Sequence, residues 1–278
     1  MPVPAREIIR IEDAGDPRIA EFRDIKEKDL VGRAGGFIAE GTVVLRMLAA
    51  AHAADGPFRA EKVLLLENRV AGLGELLEAF PAEVPVYVAS GAVLDAIAGF
   101  HLHRGVLALG RRLCLPEVPD LLRTAPDPAL VVIACGISNH DNLGAIFRNA
   151  AAFGASAVLM DDLCCDPLYR KALRVSVGAV LSVPYARGGQ VLDLLQTVDR
   201  AGFAIWGLSP RGAVDLRDIP PARGIALVTG TEGEGLPPEV LARFRSARIP
   251  QRPGLDSLNA ATATGIALYE IARLQRLI

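Results

Sequence analysis

Hydrophobic positions along this chain follow two rhythms, and the alternation between them predicts the fold class. Short runs rich in Val, Ile and Leu, bounded by Gly, Pro or charged residues, read as strands. Longer stretches in which apolar residues return every third or fourth position read as helices. GTVVLRMLAAAHA from Gly41 predicts a buried helix, KVLLLE from Lys62 a strand, and VPVYVAS from Val84 another. A helix follows near Val93 to Ile97, and GVLALG from Gly105 closes this part as a strand. Ahead of them, RDIKEKDLVGRAGGFIAEG (Arg23 to Gly41) is dense in charge and glycine, which suits a solvated helix face and phosphate contacts equally well.

The second part is more regular. LVVIAC from Leu130, SAVLMD from Ser156, VGAVLSVPY from Val177, FAIWGLS from Phe203 and IALVTG from Ile225 predict short strands, most of them separated by helical segments. That order implies an α/β fold with a parallel sheet covered on both faces. SLNAATATGIALYEIARLQRLI, from Ser257, predicts a further helix. Between the two parts, LPEVPDLLRTAPDP (residues 115–128) carries four prolines. Proline restricts its own backbone and its predecessor's, so this stretch predicts a linker between domains at 1–114 and 129–278.

Composition narrows the class. At 278 residues and 51% hydrophobic, with a mean hydropathy of +0.32, the chain has material for a full core. Aromatics are only 5%, so Ala, Val, Leu and Ile must fill it. No apolar run is long enough to span a bilayer, and MPVPAREIIRIEDAGD lacks the basic-then-apolar pattern of a secretory signal. A cytoplasmic location is the expectation. Cys114, Cys135, Cys164 and Cys165 lack both disulfide-scaffold density and zinc-site spacing, so reduced thiols and no metal are expected. A net charge of −2 does not announce a nucleic-acid binder, although such footprints are local. The only lysines are Lys26, Lys28, Lys62 and Lys171. The arginine bias suits bidentate phosphate contacts, and a GC-rich genome would produce it too.

Three segments stand where ligands gather in open α/β sheets, past the carboxyl ends of strands. NHDNLGAIFRNAAAFGA (Asn139 to Ala155) offers Asn142 as a helix cap, Gly144 for close backbone approach and Arg148 a turn further on. LVTGTEGEGLP (Leu227 to Pro237) exposes backbone amides around Gly230, Gly233 and Gly235, but matches neither a Walker loop nor G-x-G-x-x-G. RIPQRPGLDSLNAATATG (Arg248 to Gly265) loops into the last helix through Ser257-Leu258-Asn259. Each alone is an ordinary turn or cap.

Together, N-x-G-A-I-x-R, then G-T-E-G-E-G-L, then I-P…S-L-N-A resemble the SpoU/TrmH family of RNA 2′-O-ribose methyltransferases, within the SPOUT superfamily. The match covers the second part of the chain. FIAEG and the pattern after it resemble, less specifically, the family's N-terminal RNA-binding domain, itself similar to a ribosomal-protein fold. The resemblance implies S-adenosylmethionine as cofactor, a deep trefoil knot in the C-terminal sheet domain, and a homodimer with active sites at its interface. By position, Gly230, Ile249 and Leu258 match the cofactor-holding residues, with Gly235 in the same glycine loop and Leu208 and Ser209 as a third wall. Arg148 matches the catalytic arginine, and Asn142, Glu232, Ser257 and Asn259 match the other signature polar positions. In RKALRVSVGA, Arg174 and Ser176 are positioned to meet RNA, and Arg23, Lys26, Lys28 and Arg33 are the first domain's expected contacts. The chain departs from the pattern at Cys135 and Asn139, where aspartates are usual, and at His140, Gln251 and Ala260.

Methyl transfer to a ribose hydroxyl is an in-line displacement, which makes it largely a problem of orientation. A neutral hydroxyl is a poor nucleophile, so its developing charge must be stabilised. Because a guanidinium keeps its proton, the expected role of Arg148 is to bind a phosphate and stabilise the forming alkoxide, with a base role as the alternative. A non-catalytic RNA-binding protein of the same fold is the rival reading. A dinucleotide-dependent dehydrogenase is excluded by the missing G-x-G-x-x-G turn. Ribosomal and transfer RNA both remain open as substrates.

Overall fold

The computed structural model describes residues 6–23, 30–31, 35–98, 104–231, 233–252, 254 and 257–278. Along the chain run β1 (Ile8–Ile11), β2 (Gly36–Glu40), α1 (Thr42–Ala53), β3 (Phe58–Leu66), α2 (Gly74–Glu78), β4 (Val86–Ala89), α3 (Gly91–Ala98) and β5 (Val106–Arg112). Next come α4 (Val118–Arg123), β6 (Ala129–Ala134), α5 (His140–Ala152), β7 (Ala157–Met160), α6 (Arg170–Val175), β8 (Tyr185–Arg187) and α7 (Val191–Arg200). The remainder is β9 (Ala204–Leu208), β10 (Val214–Asp215), β11 (Gly224–Thr229), α8 (Pro238–Arg243), β12 (Arg245–Arg248) and α9 (Ala260–Leu274). Two compact units result: Met1–Cys114 with Leu168–Leu181, and Leu115–Pro167 with Ser182–Ile278.

The first unit is built on a five-stranded sheet in the order β1-β4-β3-β5-β2. β4 pairs in parallel with β1 and β3, while β5 runs antiparallel to β3 and β2. Phe22, Ile38, Leu64, Leu94, Ile97 and Leu107 belong to one buried cluster. Gly110 exists to admit a ring, since a Cβ there would lie 2.3 Å from Phe37 Cζ. Strands β1 and β2 lie outside the sequence reading, which took Arg23 to Gly41 as a charged segment with no strand.

Leu168–Leu181 clusters with this unit although it leaves and rejoins the chain of the other. Helix α6 packs on β2, and Gly178 at φ +83° presses against Met47, where a Cβ would be only 2.8 Å from Met47 Cβ. The expected strand from Val177 does not form. Val177 and Gly178 both take positive φ, which ends α6 in a turn, and a 3-10 turn Ala179–Leu181 follows before β8 begins at Tyr185. The β-branched run reads as a strand, but left-handed backbone at its start forbids one.

The second unit holds a seven-stranded sheet in the order β10-β12-β9-β11-β6-β7-β8, with every adjacent pair parallel. Val131, Ile133, Leu159 and Val228 pack with Leu195 and Val198 of α7 and Val240 of α8. The alternate residues Leu130, Val132 and Leu227 are equally inaccessible, as a strand covered on both faces requires. Full burial of each such side chain is worth about 1.5–3 kcal/mol. The proline-rich stretch at 115–128 is more than a connector: it contains α4, whose Leu122 sits in this core.

Candidate active site

Parallel pairing delivers the carboxyl ends of β12, β9 and β11 side by side. Ala247 pairs with Leu208, and Val228 pairs with Gly207. Leu208 and Ser209 therefore leave the sheet between the chain running toward Ile249 and the chain running into Gly230. Ser209 is fixed by its N–H donating to the Ala247 carbonyl at 3.0 Å, and Arg248 spans the neighbouring loop by donating to the Gly212 carbonyl at 2.8 Å. Gly230 sits where no side chain fits, because a Cβ would lie 2.3 Å from the Gly235 carbonyl oxygen. Thr231 and Gly235 close that loop with two backbone hydrogen bonds of 3.2 Å, and Gly235 takes φ +72°. Ile249 and Leu258 line one open hollow of about 550 Å³ with Pro250, Gln251, Gly254 and Ile266.

Helices α5 and α9 lock together beside these loops. The cap of α5 is Asn139, which accepts from the N–H groups of Asp141 and Asn142. Asn142 was expected there, but it lies inside the first turn and is 6% exposed. Its side-chain oxygen accepts from Asn259 Nδ2 at 2.8 Å. Asn259 in turn caps α9 by accepting from Ala261 and Thr262. Asn149 donates to the Ala261 carbonyl at 3.0 Å, and Gly265 allows that approach, since a Cβ there would lie 2.7 Å from Asn149 Nδ2. The buried hydroxyl of Thr264 lies 2.9 Å from that of Thr229, tying α9 to the end of β11. Sequence reading did not single out Asn149, Thr229 or Thr264. Single polar residues set in otherwise apolar surroundings, Asn149 in α5 and Thr264 in α9, were the available signal.

Arg148 is exposed on α5, and no carboxylate pairs with it among the described residues. Ser257 is exposed just before the α9 cap. Glu232, Lys26, Lys28 and Arg33 lie outside the described residues. Arg23 is half-buried in the first unit and donates to the Gly15 carbonyl at 3.4 Å. Arg174 is exposed on α6, also in the first unit. Ser176 is not available to RNA: it is fully buried and its hydroxyl donates to the Leu173 carbonyl.

The thiols past β6 and β7 offer no reactive anion. Burial first, and then Asp161, push Cys135 up to about 12 and Cys164 upward as well, and burial raises Cys165 to about 11. No cluster of His, Cys, Asp or Glu among the described residues could hold a metal ion, and no described helix is long and apolar enough to cross a membrane.

Comparison with known proteins bears on what this edge does. Residues 129–269 match the SpoU rRNA Methylase family. An uncharacterised tRNA/rRNA methyltransferase of Mycobacterium bovis is 40% identical over 273 residues, covering 94% of this chain and 90% of its own. An rRNA methyltransferase of Sinorhizobium meliloti, solved with AdoMet bound, has a TM-score of 0.80 at 25% identity, over 96% of this chain and 98% of that one. A solved RNA 2′-O ribose methyltransferase has a TM-score of 0.76 at 27% identity, covering 97% of this chain and all of the other. The family match spans the whole parallel sheet together with the loops at its carboxyl edge, and the mycobacterial likeness runs along nearly the full chain: this protein belongs to the SpoU rRNA methylase family.

Proposed function

We propose that this chain is an S-adenosylmethionine-dependent methyltransferase acting on a ribose 2′-hydroxyl of ribosomal or transfer RNA. The observation that carries the reading is the convergence of the loops after β9, β11 and β12 with the start of α9 at one sheet edge. The residues there fit the cofactor. Ile249 and Leu258 give a purine apolar walls, the space beside Gly235 is open, and Gly230 lets the loop fold closely on the Gly235 carbonyl. Leu208, Ser209, Gly230, Gly235, Ile249 and Leu258 would hold it. When bound, the cofactor supplies a methyl group on a sulfonium centre.

The rest is the chain's own work. Arg148 holds a substrate phosphate bidentately and stabilises charge developing on the ribose oxygen. Asn142 and Asn259 satisfy each other, so they fix the α5–α9 crossing, and Ser257 is the polar group beside it left to meet substrate. Glu232 offsets the positive charge of the site. In the first unit, Arg23, Lys26, Lys28, Arg33 and Arg174 contact RNA phosphates.

The reading extends to a trefoil-knotted sheet domain, a ribosomal-protein-like first domain, a cytoplasmic location and a homodimer. The dimer is supported by an apolar stripe on α9, where Ile266 is 41% and Tyr269 49% exposed, with Phe153 edge-on to Tyr269 at 5.7 Å. Ile266 also lines the hollow, so a second copy on this stripe would complete the site.

Calorimetry with S-adenosylmethionine, followed by transfer of labelled methyl to ribosomal and transfer RNA, tests the reading. Ribose methylation leaves label in alkali-resistant dinucleotides. Absence of heat would favour the non-catalytic RNA binder, and label in alkali-released mononucleotides would place the methyl on a base.

A further inference from the structure

Asp161 follows β7 directly and is 2% exposed. Its carboxylate accepts from three backbone N–H groups: Gly136 at 3.0 Å, Leu163 at 3.2 Å and Cys164 at 3.1 Å. Both carboxylate oxygens reach the Gly136 N–H at the same distance. Around it the loops leaving β6 and β7 are laced together. The Asp161 N–H donates to the Ala134 carbonyl, the Cys165 N–H to Ile137, and the Cys164 thiol to Ala134. A carboxylate is an acceptor only, so it can gather converging N–H groups that nothing else in an apolar strand end would satisfy.

The consequence lies one contact further on. Gly136 takes φ +65° and rests against the glycine loop, where a Cβ on it would lie 3.2 Å from Thr231 Cγ2. Thr231 is bonded to Gly235 in both directions, and Gly235 abuts Gly230. Fixing Gly136 therefore fixes one wall of the loop that shapes the carboxyl edge of β11.

We infer that Asp161 is a positioning residue for the 230–235 loop, acting through Gly136 and Thr231 to set how tightly that loop takes the cofactor. The inference rests on the proposed cofactor site. It gives Asp161 no part in the reaction itself: the buried carboxylate is engaged by backbone N–H groups and acts on cofactor affinity through them.

The test compares wild type with Asp161→Asn, Thr231→Ala and the double variant. Asparagine keeps the shape but turns an N–H toward the Gly136 N–H. The expected result is a rise of about tenfold in Kd and KM for S-adenosylmethionine in Asp161→Asn, which corresponds to about 1.4 kcal/mol. The kcat at saturating cofactor and the KM for RNA stay within about twofold of wild type, a split that general destabilisation would not give. Amide exchange quickens in peptides covering 134–138 and 227–236 and is unchanged in β3 and β5. The double variant loses less than the sum of the single losses.

Wild-type cofactor affinity in Asp161→Asn, or strictly additive losses, would overturn the inference. Should Asp161→Asn fail to fold, Thr231→Ala decides alone: affinity equal to wild type refutes the relay. A wild type that takes no S-adenosylmethionine would sink the proposed function, whereas the exchange pattern still reports on the clamp. Unchanged exchange at 227–236 in Asp161→Asn would sink the clamp by itself.

Discussion

The side-chain amide of Asn259 donates to the side-chain oxygen of Asn142 over 2.8 Å, joining the cap of one helix to the buried first turn of another. Two residues 117 positions apart thus set the crossing on which the exposed Arg148 stands. The two partners differ in burial: Asn259 is exposed, whereas Asn142 is buried. Asn142→Ala frees an amide that water can satisfy and is expected to cost about 0.5–1.5 kcal/mol, while Asn259→Ala leaves the buried Asn142 oxygen unsatisfied and is expected to cost about 1–3 kcal/mol. A double-mutant cycle with Asn259→Ala, read by denaturant unfolding, should return a coupling of about 0.5 kcal/mol or more.

Gly265 lies further along the same crossing. Glycine to alanine within a helix normally gains about 0.5–1 kcal/mol, but here the new Cβ would lie 2.7 Å from Asn149 Nδ2, which is anchored to the Ala261 carbonyl. Overpacking of this kind costs about 1–3 kcal/mol, so the clash outweighs the propensity gain. Gly265→Ala is expected to lower the thermal midpoint. A raised midpoint would show that Asn149 yields freely.

Gly230 tests the loop in the same way, with function as the readout. At 2.3 Å from the Gly235 carbonyl oxygen, an added Cβ cannot be absorbed by a side-chain rotation, because the obstacle is backbone. Gly230→Ala is expected to weaken S-adenosylmethionine binding by an order of magnitude or more while the first unit's circular-dichroism melt is unchanged. Titration calorimetry measures the loss.

The thiols give a prediction about pH. Burial, seconded by Asp161, raises Cys135 from 9.0 to about 12, so the folded state favours its neutral form. A raised folded value means the contribution is complete below about 9 and is lost as pH climbs toward 12. The unfolding midpoint should therefore fall across that alkaline window. At pH 8, mass spectrometry after brief iodoacetamide treatment should find Cys114 alkylated first, since it is exposed while Cys135 and Cys164 are buried.

Sequence pattern disclosed most of the second unit, because fully buried parallel strands such as Leu130 to Ala134 read as unbroken apolar runs. Strand β12 escaped it. Arg245 and Arg248 are exposed on either side of the single buried Ala247, so its alternation looks like a charged loop. The cap of α5 was placed at Asn142 in place of Asn139 because both residues are good caps three positions apart, and only packing decides between them. Asp161 was invisible for a related reason: in MDD a carboxylate reads as solvated, and nothing local reveals the three N–H groups waiting for it. The glycine loop and Ser-Leu-Asn start of α9 were legible only in combination, since each alone is an ordinary turn.

The apolar stripe on α9 predicts association. Tyr269→Arg puts a charge among Ile266 and Phe153, and light scattering should then find monomer where wild type gives dimer. Wild type measured as a monomer at micromolar concentration would remove the second copy from the account.

The central claim is that Arg148 stabilises charge on a ribose oxygen. Its most direct test is single-turnover methyl transfer by Arg148→Ala, with calorimetry on the same preparation. Loss of an electrostatic stabiliser of the transition state typically lowers the rate by about 10²–10³. The account predicts a fall of that order with S-adenosylmethionine affinity within about twofold of wild type. Ribose methylation at the wild-type rate by Arg148→Ala would contradict it.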